Sequence, residues 1–186
     1  MVAARYRRVV PDERQARALL AQAGCGAGIV SHVEAVARLA NAMAHRVSTA
    51  NAAVILAGAW LHDIGRAFES GPAHVPTGVA WLEGQDVDER VVRCVARHMG
   101  AGITDDEARR LGWPAGSYVP ETLEERIVCH ADNLTFGTRH VDLAEVRAKF
   151  ERHAVPGAIE RLERLHKGLA RDLGIDPDDL VRTLDA

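Results

Sequence analysis

Apolar residues recur every three to four positions along almost the whole chain, the period of helices that pack one face against a core. The pattern predicts a helix over 12–23 that stops at Gly24, and one over 29–44 with Val33, Val36, Ala37 and Ala40 on one stripe. A third is expected to start from a cap at Ser48 or Thr49 and to run through AAVILAGAWLHDI to Gly65. It is apolar on most sides, as a central buried helix would be. After a Gly71-Pro72 loop come helical segments over 76–83, 88–98 and 104–111, then a GWPAGSYVP loop. Pro120 is expected to open a helix through ETLEERIVCHADNL, and amphipathic helices follow over 143–152, 157–173 and 177–184. With no alternating strand pattern, repeat or linker, the expectation is an all-α fold, one compact multi-helix domain over residues 1–186.

Composition narrows the class. Only 4% of residues are aromatic, so alanine, leucine and valine carry the apolar load, which favours close-packed helices over a β-sandwich. A net charge of −3 provides no global field for nucleic acid, so strong nucleic-acid binding is not expected and any attraction for phosphate must be local. Cys25, Cys94 and Cys129 are scattered and form no CxxC pair, which fits a reducing cytoplasm. The basic start, residues 1–8, is not followed by an apolar stretch of signal-peptide length, and no window is long enough for a membrane span.

Nine histidines stand out, and their context sorts them. His62-Asp63 ends the most apolar helix, where an imidazole beside a carboxylate is costly unless a cation or another partner compensates. His32 sits one turn before Val36 in the upstream helix, and Asp132 lies between Val128 and Leu134 in the downstream one. A satisfied core polar group explains any one of these. Four of them on three helices are better explained by a shared metal site, and imidazole nitrogen with carboxylate oxygen suits iron, manganese, zinc, nickel or magnesium. His74 and His98 lie at helix ends facing loops, where sites are assembled, although each alone also reads as a surface histidine. His45, His153 and His166 fall on charged faces. His130, two positions before Asp132, points away from it, and His140 falls in a loop.

The string HDIG at His62 to Gly65, with His32 upstream and Asp132 downstream, resembles the HD superfamily of metal-dependent phosphohydrolases over roughly residues 29–141. His74 and His98 match the positions that give the dinuclear HD subgroups their second metal. The stretches HVPTGVAWL, ARHMGAGIT and ADNLTFGTRH are most similar to symmetrical dinucleoside-tetraphosphate hydrolases and small uncharacterised archaeal-type HDIG proteins. The GYP segment of the HD-GYP phosphodiesterases is absent, since MGAGIT follows His98.

The resemblance implies an HD-type core over 29–141 followed by C-terminal helices over 142–186. It implies two divalent ions bridged by Asp63, the first also held by His32, His62 and Asp132, the second by His74 and His98. Iron or manganese is expected, with magnesium, nickel or zinc as alternatives. Four neutral histidines and two aspartates carry −2 against +4 for the ions, so the site would be about +2 and attractive to phosphate. A water between the ions, acidified to hydroxide, would attack phosphorus. Arg66 follows HDIG directly and is the first candidate for a phosphate clamp, because a guanidinium fork matches two phosphate oxygens; its plainer reading is a surface arginine at a helix end. Arg97 and Arg139 adjoin the proposed ligands and are further substrate-contact candidates. The expected substrate is a nucleotide or another small phosphorylated metabolite. A di-iron oxygenase cleaving a C–C or C–P bond could use the same six ligands, and a non-catalytic metal-stabilised nucleotide-binding module is the third reading.

Overall fold

Side-chain caps decide where most of the helices begin. In this computed structural model residues 8–153 and 155–184 are described, without the side chain of His153; the basic start over residues 1–7 and the reading of His153 lie outside them. Helix α1 (Glu13–Ala23) starts with a capping box between Asp12 and Gln15 and stops where Gly24 turns left-handed. Helix α2 (Ala27–Ala44) follows directly. Helix α3 (Ala52–Leu61) is capped by Asn51, whose side chain accepts the Val54 N–H, so the cap is neither Ser48 nor Thr49.

Helix α3 ends at Leu61 and does not run on to Gly65. His62 is its C-cap, Asp63 leaves helical geometry, and Ile64–Ala67 winds into a 3₁₀ turn. Gly65 permits this, since a Cβ there would lie 1.9 Å from the His74 carbonyl oxygen and 2.7 Å from the Gly78 nitrogen. The 3₁₀ turn therefore rests backbone to backbone on α4 (His74–Glu83), which begins two residues earlier than the apolar period indicates. Helix α5 (Glu89–Ala96) is capped by Asp88 and stops two residues before His98. Helices α6 (Asp105–Arg110) and α7 (Leu123–Asn133) start with capping boxes at Thr104 and Thr122, so Thr122 rather than Pro120 opens α7.

Beyond α7 the chain makes a minimal hairpin that the sequence pattern did not indicate. Strands β1 (Thr135–Phe136) and β2 (Arg139–His140) pair antiparallel about Gly137 at φ +61°. Two-residue strands are too short to show alternation. Helices α8 (Leu143–His153), α9 (Ala158–Leu173) and α10 (Pro177–Leu184) complete an all-α fold.

The core is centred on α3, which packs against α1, α2, α5 and α7 and buries residues around most of its circumference. A satellite cluster of Val75, Ala108 and Trp113, joined by Met99, Ile103 and Tyr118, fixes the start of α4 and the segment after His98. Helix α9 closes the other side with Leu162, Leu165, Leu169 and Leu173, and His166 shares that inner face. His166 is thus buried, not on a charged face, because its phase on the helix outweighs its charged sequence neighbours. It is satisfied by His130 Nε2 at 3.0 Å on one side and Asp176 Oδ1 at 3.1 Å on the other.

Candidate metal centre

Four histidines and two aspartates converge at one end of this helix packing. His32 arrives from α2, His62 and Asp63 from the end of α3, His74 from the first residue of α4, His98 from just past α5, and Asp132 from the last turn of α7. His62, Asp63, His74 and His98 are buried. The side chains of His32 and Asp132 remain 18% and 21% exposed, so the site opens on their side.

The second ring nitrogens fix the chemistry. Nδ1 of His62 lies 2.8 Å from the Ala59 carbonyl oxygen, that of His74 2.6 Å from Gly71, that of His98 2.7 Å from Val95 and that of His32 2.7 Å from Gly137. A carbonyl only accepts, so each Nδ1 carries a hydrogen and each ring turns its Nε2 inward, free to ligate a metal or to take up a proton. The Nε2 atoms of His32 and His62 are 3.4 Å apart, and those of His74 and His98 are 3.2 Å apart. Four Nε2 atoms facing one another beside two carboxylates call for positive charge among them, and a backbone carbonyl behind each ring is the usual support of a ligating histidine.

Asp63 links the two pairs. Its Oδ1 is 3.1 Å from His74 Nε2 and 3.5 Å from His98 Nε2 and is buried with no hydrogen-bond partner. Its Oδ2 is 3.7 Å from His32 Nε2 and 3.8 Å from His62 Nε2. Asp132 Oδ1 completes the first group at 3.1 Å from His32 and 3.4 Å from His62. The donor atoms of His32, His62 and Asp63, and those of Asp63, His74 and His98, each lie close enough together to hold one ion. The orphaned Oδ1 and the imidazole–carboxylate donor set fit a pair of divalent metals.

The electrostatics agree. Burial raises the Asp63 and Asp132 carboxyls, but facing imidazoles, His62 first, outweigh it and hold both well below the usual carboxylate range. Burial lowers His62, yet Asp63 and Asp132 outweigh it and hold the ring up at about 9. His98, where burial wins, is pushed down. The pocket selects positive charge, by proton or by metal.

The three candidate arginines separate. Arg66 stays at the rim, 42% exposed, with its Nε donating to Asp63 Oδ2 at 2.6 Å. Arg97 turns away, donating to Glu125 Oε2 at 2.9 Å and pairing with Glu121 at 2.7 Å. Arg139 forks the Glu145 carboxylate on the surface. Of the remaining histidines, His45 is exposed, His130 faces α9 and His140 Nε2 lies 3.1 Å from the Ala35 carbonyl, so none of them enters the site.

Residues 29–137, which carry all six of these ligand-type residues and end just past Asp132, match the pattern of the HD domain family. The chain belongs to the HD domain family. This HD domain is 40% identical over 173 residues, 93% of its length, to a tRNA (cytidine(56)-2'-O)-methyltransferase of Thermoplasma volcanium, and 40% identical over 175 residues, 94% of its length, to that of Picrophilus torridus. It spans about half of each of these curated relatives, 51% in both. An uncharacterized protein of Methanocaldococcus jannaschii is 41% identical over 132 residues, 69% of this chain and 78% of the relative. Among solved structures, the HD domain of the L. monocytogenes phosphodiesterase PgpH superposes with a TM-score of 0.57, and its complex with cyclic-di-AMP with 0.61. Both cover 90% of this chain, and 97% and 95% of those chains, at 18% identity, a likeness of fold.

Proposed function

We propose that this HD domain is a metal-dependent phosphohydrolase that cleaves a phosphoester or phosphoanhydride of a nucleotide or small phosphorylated metabolite. The observation that carries the reading is the convergence of four Nε2 atoms on Asp63, each ring locked by a backbone carbonyl. His32, His62, Asp132 and Asp63 Oδ2 would hold one divalent ion, and His74, His98 and Asp63 Oδ1 a second, with iron or manganese suited to the donor set. Such a pair, when bound, supplies an acidified water and Lewis-acid stabilisation of charge developing on phosphate.

The chain's own residues do the rest. Asp63 orients Arg66 through the Nε contact, leaving the two Nη groups for phosphate oxygens. His32 and Asp132, on the open side, mark where the substrate enters. Arg97 and Arg139 are outside this proposal, because their guanidinium groups are committed to Glu121, Glu125 and Glu145. The named relatives favour a second substrate class, phosphate groups of RNA, for a domain that serves an RNA-modifying enzyme.

The test is metal analysis of protein purified without added metal, then anaerobic phosphate release with manganese or ferrous iron. The panel includes mononucleotides, dinucleoside polyphosphates, cyclic dinucleotides and short RNA. Hydrolysis that is lost with chelator is expected. Substrate-dependent oxygen uptake with a mixed-valence iron signal, and no release across the panel, would overturn the reading in favour of an oxygenase.

A further inference from the structure

Phe68 is the one aromatic side chain among the described residues that is exposed, at 45%. It lies two residues beyond Arg66, and its ring is 6.1 Å from the ring of Trp81 at an interplanar angle of 36°. Trp81 lies on the same stripe of α4 as His74, seven residues and about two turns along, which is on the order of 10 Å. The 3₁₀ turn that carries Arg66 is held against that stripe by the backbone contact of Gly65 with His74 and Gly78. Phe68 and Trp81 are therefore held on the same turn and helix that carry Arg66 and His74.

We infer that Phe68, backed by Trp81, is the stacking platform for the base of a nucleoside phosphate whose phosphate lies at Arg66 and the metal centre. The inference rests on the phosphohydrolase reading and specifies its substrate. A large apolar ring left in water beside a cationic site leaves a flat face to be covered, and every nucleobase has a complementary π-face. The platform is therefore expected to accept purines and pyrimidines alike.

Binding to the manganese-loaded protein separates the parts, with inorganic phosphate, ribose 5-phosphate, adenosine 5′-monophosphate and uridine 5′-monophosphate as probes in calorimetry. Both nucleotides should bind about 10- to 100-fold more tightly than ribose 5-phosphate, the range of one base–aromatic stack. Phe68→Ala should abolish that ratio and leave the affinity for inorganic phosphate unchanged; Phe68→Trp should keep the ratio. Equal affinities for ribose 5-phosphate and the nucleotides in the wild type, or a ratio that survives Phe68→Ala, would overturn the platform while the phosphate site stands. Failure of all four probes to bind would overturn the phosphohydrolase reading and the platform with it.

Discussion

Asp63 Oδ1 lies 3.1 Å from His74 Nε2, is buried and accepts no hydrogen bond, while Oδ2 of the same carboxylate faces the other histidine pair. One side chain thus serves both halves of the centre, and the two halves are predicted to respond differently to mutation. Asp63→Ala should remove both metal equivalents. His98→Gln should lower the content from two equivalents to one, because His32, His62 and Asp132 stay in place. Elemental analysis of the folded variants checks this, and loss of both equivalents in His98→Gln would show that the halves do not fill independently.

Arg66 offers a different separation. Its guanidinium contacts Asp63 from the rim and is not among the ligand-type residues. Arg66→Ala should keep metal near the wild-type content and lower kcat/KM about 100-fold, the scale of one lost charged contact to the transition state. Arg66→Lys should recover only part of this, since an ammonium cannot fork two oxygens. Metal loss in step with activity would assign Arg66 to holding the centre.

Gly65→Ala tests the backbone contact that sets the site's shape. The added Cβ would meet a backbone carbonyl at 1.9 Å, and backbone does not swing aside as a flexible side chain does. The variant should lose on the order of 3 kcal/mol in chelated protein, the upper end for overpacking. Its metal content should also fall, because the displaced carbonyl belongs to the ligand-type residue His74. A thermal melt within error of wild type would show that the 3₁₀ turn can move.

How far the sequence reveals this centre follows from which contacts are local. The apolar run of α3 and the HDIG string identify His62 and Asp63, and three of the four ring anchors are carbonyls three residues back, a spacing that a helix end provides by itself. The anchor of His32 is Gly137, 105 positions away in a hairpin with two-residue strands, and nothing near His32 signals it. His166 misleads because Arg164 and Lys167 surround it in sequence, whereas its phase with Leu162, Leu165 and Leu169 decides its burial. Arg97 misleads in the opposite sense. It adjoins His98, yet its partners are two glutamates at and before the start of α7 that no local pattern connects to it.

Those glutamates allow a pH prediction that does not involve the metal centre. Glu125 is buried, which pushes its carboxyl up, but the Glu121 N–H at 2.7 Å and the guanidiniums of Arg93 at 2.8 Å and Arg97 at 2.9 Å outweigh this and hold it below the usual glutamate range. An unfolded glutamate titrates near ~4.3. Above that pH both states are ionised and the full contribution to stability is present. As the pH falls, the unfolded chain takes up the proton first, so the contribution is lost between ~4.3 and the lower folded value. Glu125→Gln keeps the shape and removes the charge, leaving Arg97 without its buried partner, and should cost about 3 kcal/mol at pH 7. The gap between wild type and variant should narrow steadily below about pH 4. Chemical denaturation of both chelated proteins from pH 7 to pH 3 measures it, and acid effects of the metal ligands, common to both, cancel in the difference. A gap that stays constant over that range would show that the Glu125 carboxylate is not held by these charges.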